Sequence, residues 1–218
     1  GIIIPSYSNL SQLEKMIENT TIESFHRMER NVHQIMDYLQ NQTIQKNIQG
    51  SVAVTIDHAF HVKGVGEVVL GFVNQGIINK HDKLTLFPSD KQVIIRSIQI
   101  QDKDLDSAPA GSRVGLAIKG VNASDLNRGF ILSNTENTKA TSTCSLSFKK
   151  NPFYSQISKG KFHMTIGLQT VPMMISTIND SVITIQTEKP VSYLPNQPVL
   201  LLDLNANKLH HMGTGFIQ

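Results

Sequence analysis

Between Thr55 and Leu132 the chain never runs apolar for long before a Gly, Pro, Asn or Asp interrupts it. The segment reads TIDHAFHVKGVGEVVLGFVNQG, then DKLTLFP, then VIIRSIQIQDKDLDSAPAGSRVGLAIKGVNASDLNRGFIL. Short apolar runs closely spaced between turn residues predict a small closed β-barrel. Gly64, Gly66, Gly71 and Gly76 fall where a tight turn needs positive φ or where another backbone must come close.

The same pattern returns from Cys144 to Gln218 in CSLSFKK, KFHMTIGLQ, PMMISTI, SVITIQTEKPVSY, PVLLLDL and HMGTGFIQ, with turns at Gly160, Asn179-Asp180 and Pro195-Asn196. The expected architecture is mainly β: two antiparallel barrels, over 51–133 and 142–218, preceded by a short α-helical segment over 1–48. In that leading segment Ser11 with Glu14, or Asn9 one turn earlier, caps a first helix carrying Leu10, Leu13, Met16 and Ile17 on one face. Thr20 with Glu23 signals a second, carrying Ile22, Phe25, Val32, Ile35, Met36 and Leu39, with Arg30-Asn31 a candidate break. Asn41 to Gly50 reads as a polar linker and 133–143, SNTENTKATST, as a polar joint.

With 39% hydrophobic residues and no tryptophan, the core must be built from Ile, Val, Leu and Met. A formal net charge of +3 permits an anionic partner without requiring one. The single cysteine, Cys144, excludes an internal disulfide and a Cys-rich zinc site and fits a reducing compartment. No apolar run approaches the ~20 residues of a membrane span, and GIIIPSYS lacks the basic start and long apolar stretch of a secretory signal. A cytoplasmic protein without a membrane partner is expected.

The strings DHAF, KGVGEV, RSIQ, AGSRVGLAIKGV and RGFIL stand in the order and spacing of the second domain of elongation-factor-Tu-type translation GTPases. The segment looks most like archaeal SelB and a SelB-like paralogue of methanogens. The third domain resembles the family's final barrel more loosely, through ISKGKFHMTIGLQTVP, EKPVSYLPNQPVLLLDL and GTGFI. The leading helices resemble the last helices of the family's GTPase domain. IIIPSYS lies where that domain carries its guanine-reading Asn-Lys-x-Asp.

Asn79-Lys80-His81-Asp82 spells Asn-Lys-x-Asp, but between two barrel strands, and no G-x-x-x-x-G-K-[ST] loop occurs in the chain. The four residues read as a surface turn, and the chain reads as a non-enzyme without cofactor. GTP and magnesium would enter only through a GTPase domain upstream.

The resemblance implies that this domain holds the charged end of a tRNA. Asp57, His58 and Arg113 match positions surrounding the aminoacyl side chain in SelB-like factors. Two cationic candidates with a carboxylate suit an anionic group such as a selenolate. The resemblance also implies that ordinary elongation factors carry no arginine at the position of Arg113. Phe60, Val62 and Gly64 match the wall for the terminal adenosine, and Gln99 stands where elongation factor Tu has a glutamate on the ribose. Arg128 matches an arginine near the acceptor phosphates, while Lys149, Lys150, Lys159 and Lys161 are further phosphate candidates without a tight motif.

Plainer readings stand beside these. Asp57 and His58 also read as a solvated pair at a strand edge, Arg113 as a surface arginine, Arg128 as half of an ion pair, and the lysines as a solvated face. Asp102, Asp104 and Asp106 mimic a calcium loop, but Ser107 and Arg113 stand where that loop needs Gly and Glu. His58/His61 and His210-His211 have poor metal-ligand spacing. Cys144 reads as a small buried hydrophobe. The expected function is the non-catalytic tRNA-binding portion of a SelB-like elongation factor, partnered by aminoacyl-tRNA and by the ribosome or other translation components. The alternative is a protein-interaction relic of such a factor that binds no tRNA.

Overall fold

The computed structural model describes residues 1–43, 46–207 and 209–218. The chain divides into two compact units, Gly1–Gln45 and Lys46–Gln218. The expected linker Asn41–Gly50 includes Ile44 and Gln45, which lie outside the described residues.

The leading unit is not purely helical. Strand β1 (Ile2–Ile4), helix α1 (Leu10–Ile17), strand β2 (Arg27–Glu29) and helix α2 (Val32–Gln40) follow in order, and β1 pairs with β2 in parallel. Asn9 caps α1, its side chain accepting from the Gln12 amide at 3.2 Å. The second helix starts well after Thr20. Asn19 takes φ 60, its amide donates to the Glu23 carboxylate at 2.9 Å, and the Thr20 hydroxyl donates to the Ile17 carbonyl at 2.5 Å. Those side chains close a turn rather than open a helix. The chain then extends into β2, and Asn31 supplies the cap of α2.

The first barrel uses β3 (Ala53–Val62), β4 (Gly66–Gln75), β6 (Lys83–Phe87), β7 (Lys91–Ile100), β10 (Arg113–Lys119) and β11 (Ile131–Ser133). Two short strands, β5 (Ile77–Asn79) and β9 (Ser107–Pro109), form a ribbon of their own, and β8 (Lys103–Leu105) extends β7. The ring runs β10-β4-β3-β11-β6-β7 and closes through β7–β10, giving six strands. Val54, Ile56, Val69, Leu84, Leu86, Ile95, Ile98 and Leu116 point inward and are buried. Two aspartates of the calcium-like run, Asp102 and Asp104, belong to a hairpin, and Asp106 follows it in the bend before β9: Gln101 and Asp102 take φ 50 and 62, the geometry of a tight two-residue turn between β7 and β8.

The second barrel closes as β12-β15-β14-β13-β16-β17, comprising β12 (Lys139–Lys150), β13 (Gly160–Ile166), β14 (Gln169–Asn179), β15 (Val182–Tyr193), β16 (Pro198–Leu202) and β17 (His211–Ile217). Strand β12 begins at Lys139, inside the expected joint, because Lys139–Thr141 pair with the end of β15. The run KFHMTIGLQ is not one strand. Gly167 at φ 56 turns it, and Gln169 already belongs to β14. Leu146, Met164, Ile166, Ile175, Ile185, Leu201 and Met212 fill the core, with Cys144 packed against them; burial pushes its thiol up to about 11.

A candidate nucleic-acid interface on the first barrel

Strand β3 carries a locally unpaired residue against β4. Ile56 pairs with Gly71 and His58 with Leu70, so Asp57 is the extra residue of a bulge. A bulge bends its strand and re-aims a side chain. Gly71 permits the close approach, since a Cβ there would stand 2.7 Å from the Thr55 carbonyl oxygen. Beyond the bulge the alternation resumes with Ala59 against the core and His58 and Phe60 exposed.

The loop entering β11 is laced to the same place. The Gly129 amide donates to the Ile56 carbonyl at 2.7 Å, and the Ile56 amide donates to the Phe130 carbonyl at 2.9 Å. Arg128 is therefore carried alongside Asp57, and its Nε donates to Asp57 Oδ1 at 2.9 Å. Nδ1 of His58 lies 3.3 Å and Nη2 of Arg113 3.7 Å from Asp57 Oδ2. One carboxylate thus gathers three basic side chains. The hydrogen bond from Arg128 is the main cause holding Asp57 below the usual carboxylate range; partial burial opposes it, and the neighbouring His58 adds to it. The three basic side chains are each more than half exposed, so their pairing with Asp57 is open to water and to competing anions.

Register continues this site across the outer face. One row runs His58, Leu70, Gly115, Gln99 and Asp104; a second runs Thr55, Phe72 and Arg113; a third runs Phe60, Val68, Ala117 and Ser97. Phe60, Leu70 and Phe72 are about two-fifths exposed. Gly115 leaves a shallow dent between Leu70 and Gln99: a Cβ there would meet them at 3.7 and 3.9 Å. The result is an apolar wall bordered by the basic group and by Gln99, whose amide donates to Asp104 at 2.9 Å. Val62 is half-buried opposite Gly66, and Gly64 lies further out at the hairpin tip, at φ +86 with open space around it.

The structure therefore brings Asp57, His58, Arg113 and Arg128 together, with Phe60 and Gln99 on the adjoining face. Sequence reasoning overlooked Leu70 and Phe72. Their signal was their parity: they alternate with the buried Val69 and Val73 and so face outward.

The lysines of the second barrel are not brought together. Lys149 and Lys150 lie on β12, whereas Lys161 lies on β13 with Lys159 just ahead of it; these strands are opposite one another in the six-strand ring. Lys150 is also engaged, donating to the carbonyls of Tyr154 and Ser155. Lys161 borders a small hollow with Met173, Met174 and Glu188. Asn79–Asp82 forms a tight turn in which the Asp82 carboxylate accepts from the Asn79 amide at 2.7 Å. Among the described residues no His/Cys/Asp/Glu group has metal-holding geometry, and no helix is long and apolar enough to cross a membrane.

Residues 66–133 match the family model for elongation factor Tu domain 2. The chain is 35% identical over 217 residues to the uncharacterized protein MJ0325 of Methanocaldococcus jannaschii, covering 99% of this chain and 70% of that protein. It is 35% identical over 163 residues to the selenocysteine-specific elongation factor of the same organism, covering 73% of this chain but 34% of that protein. The crystal structure of translation elongation factor SelB from Methanococcus maripaludis in its apo form superposes with a TM-score of 0.82 at 23% identity, covering 99% of this chain and 58% of that one.

Proposed function

The chain belongs to the SelB-like family of elongation-factor-Tu-type translation factors, and on that premise we propose that its first barrel receives the acceptor end of an aminoacyl-tRNA. One observation carries this reading: a carboxylate ringed by His58, Arg113 and Arg128 lies at the border of an exposed aromatic and aliphatic wall. Two guanidiniums around one carboxylate leave a net positive charge before His58 contributes any. Such a group suits an anionic substituent or a phosphate. The flat wall of Phe60, Leu70 and Phe72 suits a base and its ribose.

Roles divide by position. Asp57, His58 and Arg113 border the aminoacyl group. Phe60 and Gln99 face the terminal nucleoside, with Leu70 and Phe72 completing the wall. Arg128 exchanges its carboxylate for a backbone phosphate. The opposed strands bearing the second-barrel lysines argue against one continuous phosphate track there, so at most one of the two pairs would meet the acceptor stem. No nucleotide chemistry is assigned to this chain.

Filter binding of aminoacylated and deacylated tRNA across a salt series tests the proposal. Binding should weaken with salt, and Arg128→Ala should reduce the slope of log affinity against log salt by roughly one. Absence of binding by both tRNA forms at low salt would overturn it and leave a protein-docking role.

A further inference from the structure

Where the two barrels meet, Gly129, the neighbour of Arg128, is packed directly against the second barrel. Gly129 takes φ +86, and a Cβ on it would stand 2.3 Å from Gln169 Cγ and 2.8 Å from the Gln169 amide nitrogen. Gln169 opens β14 of the second barrel, and Ser192 lies near the end of β15. Both are buried, at 6% and 1% exposure. The Gln169 side chain spans to the Ser192 backbone twice. Its Nε2 donates to the Ser192 carbonyl at 2.6 Å, and its Oε1 accepts from the Ser192 amide at 3.1 Å. This amide bridge stands where β15 has left β14 to pair with β12. The Ser192 hydroxyl then crosses the joint and donates to the Gly129 carbonyl at 3.3 Å.

Gly129 is thus held on both sides: by Ile56 through its amide and by Ser192 through its carbonyl. A long, exposed arginine loses considerable side-chain entropy when fixed, so its placement depends on the backbone beneath it. We propose that Gln169 and Ser192 of the second barrel are positioning residues for Arg128, so that the second barrel sets the geometry of the basic site on the first. This rests on the reading of Arg128 as part of the tRNA site, but the positioning itself is measurable without RNA. Gln169 and Ser192 touch neither Asp57 nor the apolar wall in any described hydrogen bond.

The test uses the 218-residue chain with Ser192→Ala, which removes a hydroxyl and leaves the amide bridge, and Gln169→Ala, which removes the bridge. Carbon-detected NMR follows the Asp57 carboxyl through an acid titration. Asp57 is faced by His58, Arg113 and Arg128. Asp125, held by Lys91 at 2.7 Å and joined to neither Gly129 nor the second barrel by any described hydrogen bond, serves as the internal control. Both substitutions should move the Asp57 midpoint upward while Asp125 stays in place, and Ser192→Thr should restore the parent value. On tRNA, Ser192→Ala should weaken binding about threefold in the parent but not in an Arg128→Ala background. An Asp57 titration unchanged by Ser192→Ala, with the fold intact by circular dichroism, overturns the positioning role whatever tRNA does. If Gln169→Ala unfolds the chain, Ser192→Ala alone decides. Absence of tRNA binding with a shifted Asp57 overturns the reading of the site and upholds the positioning.

Discussion

Asp57 and Arg128 are separated by 71 residues in the chain and joined by a 2.9 Å hydrogen bond. A bulge turns the first toward the second, and a loop laced to the backbone of Ile56 delivers the second to the first.

Acid should weaken the pair in a defined direction. Asp57 is held below its ordinary value of 3.8, chiefly by Arg128. A depressed carboxylate contributes stability that is fully present above the unfolded value and lost as pH falls through the lower folded one. Arg128→Ala should therefore destabilise the chain at neutral pH, and the gap from the parent should close as pH drops below about 3.8. Urea midpoints measured between about pH 2 and pH 6 check this; a gap that stays constant with pH would exclude the pair as its source.

Gly129 and Gly64 share φ +86 but differ in surroundings. Alanine at Gly64 meets open space and should cost only the backbone term of about 1–2 kcal/mol. Alanine at Gly129 meets backbone and side chain of the second barrel and should cost distinctly more, ~3 kcal/mol or above. The difference between the two denaturation free energies isolates the barrel–barrel contact. Equal costs would mean the joint opens freely.

The apolar wall should be functional rather than stabilising. Phe60→Ala and Phe72→Ala remove side chains already about two-fifths exposed, so stability should change by less than the ~3–5 kcal/mol of a buried aromatic. Binding of acceptor-end RNA should fall by roughly 1–3 kcal/mol if a base stacks there. Thermal melts paired with filter binding measure both. A large stability loss with unchanged RNA affinity would make the wall a packing surface.

Alkaline titration should set Tyr154, and to a lesser degree Tyr193, apart from the other tyrosines. Burial first, then the Asp203 carboxylate accepting its hydroxyl at 2.7 Å, pushes Tyr154 up to about 12. A raised value means the neutral phenol is favoured in the fold. Its stability is present below the ordinary value of 10.0 and lost as pH rises through about 12. Phenolate absorbance should show Tyr154 titrating last, with Tyr193 also delayed by its burial, and Asp203→Asn should bring Tyr154 partway down, leaving the part due to burial. No shift in that variant would locate the effect elsewhere.

The barrels were legible because their information is local. Gly, Asn and Asp mark the turns, and apolar residues alternate between them. The leading unit misled because β1 and β2 are each three residues long, too short to carry a period, and because Thr20 and Glu23 cap a turn with the chemistry expected of a helix start. Asp57, His58 and Arg113 could be named from the family likeness, but their meeting with Arg128 is a non-local event that no window around residue 57 encodes. The bulge left no mark either, since one extra residue in a strand looks like any other. Lys149 and Lys161 are near in sequence yet sit on opposed strands, a separation set by ring order.

Excision of residue 57 would leave Ile56, His58 and Ala59 in an unbroken in-out-in sequence, matching the burial already seen at those positions. That aspartate has no pairing partner on β4. The strand accommodates it as a surplus, and this surplus supplies the negative charge around which the surrounding cations are arranged.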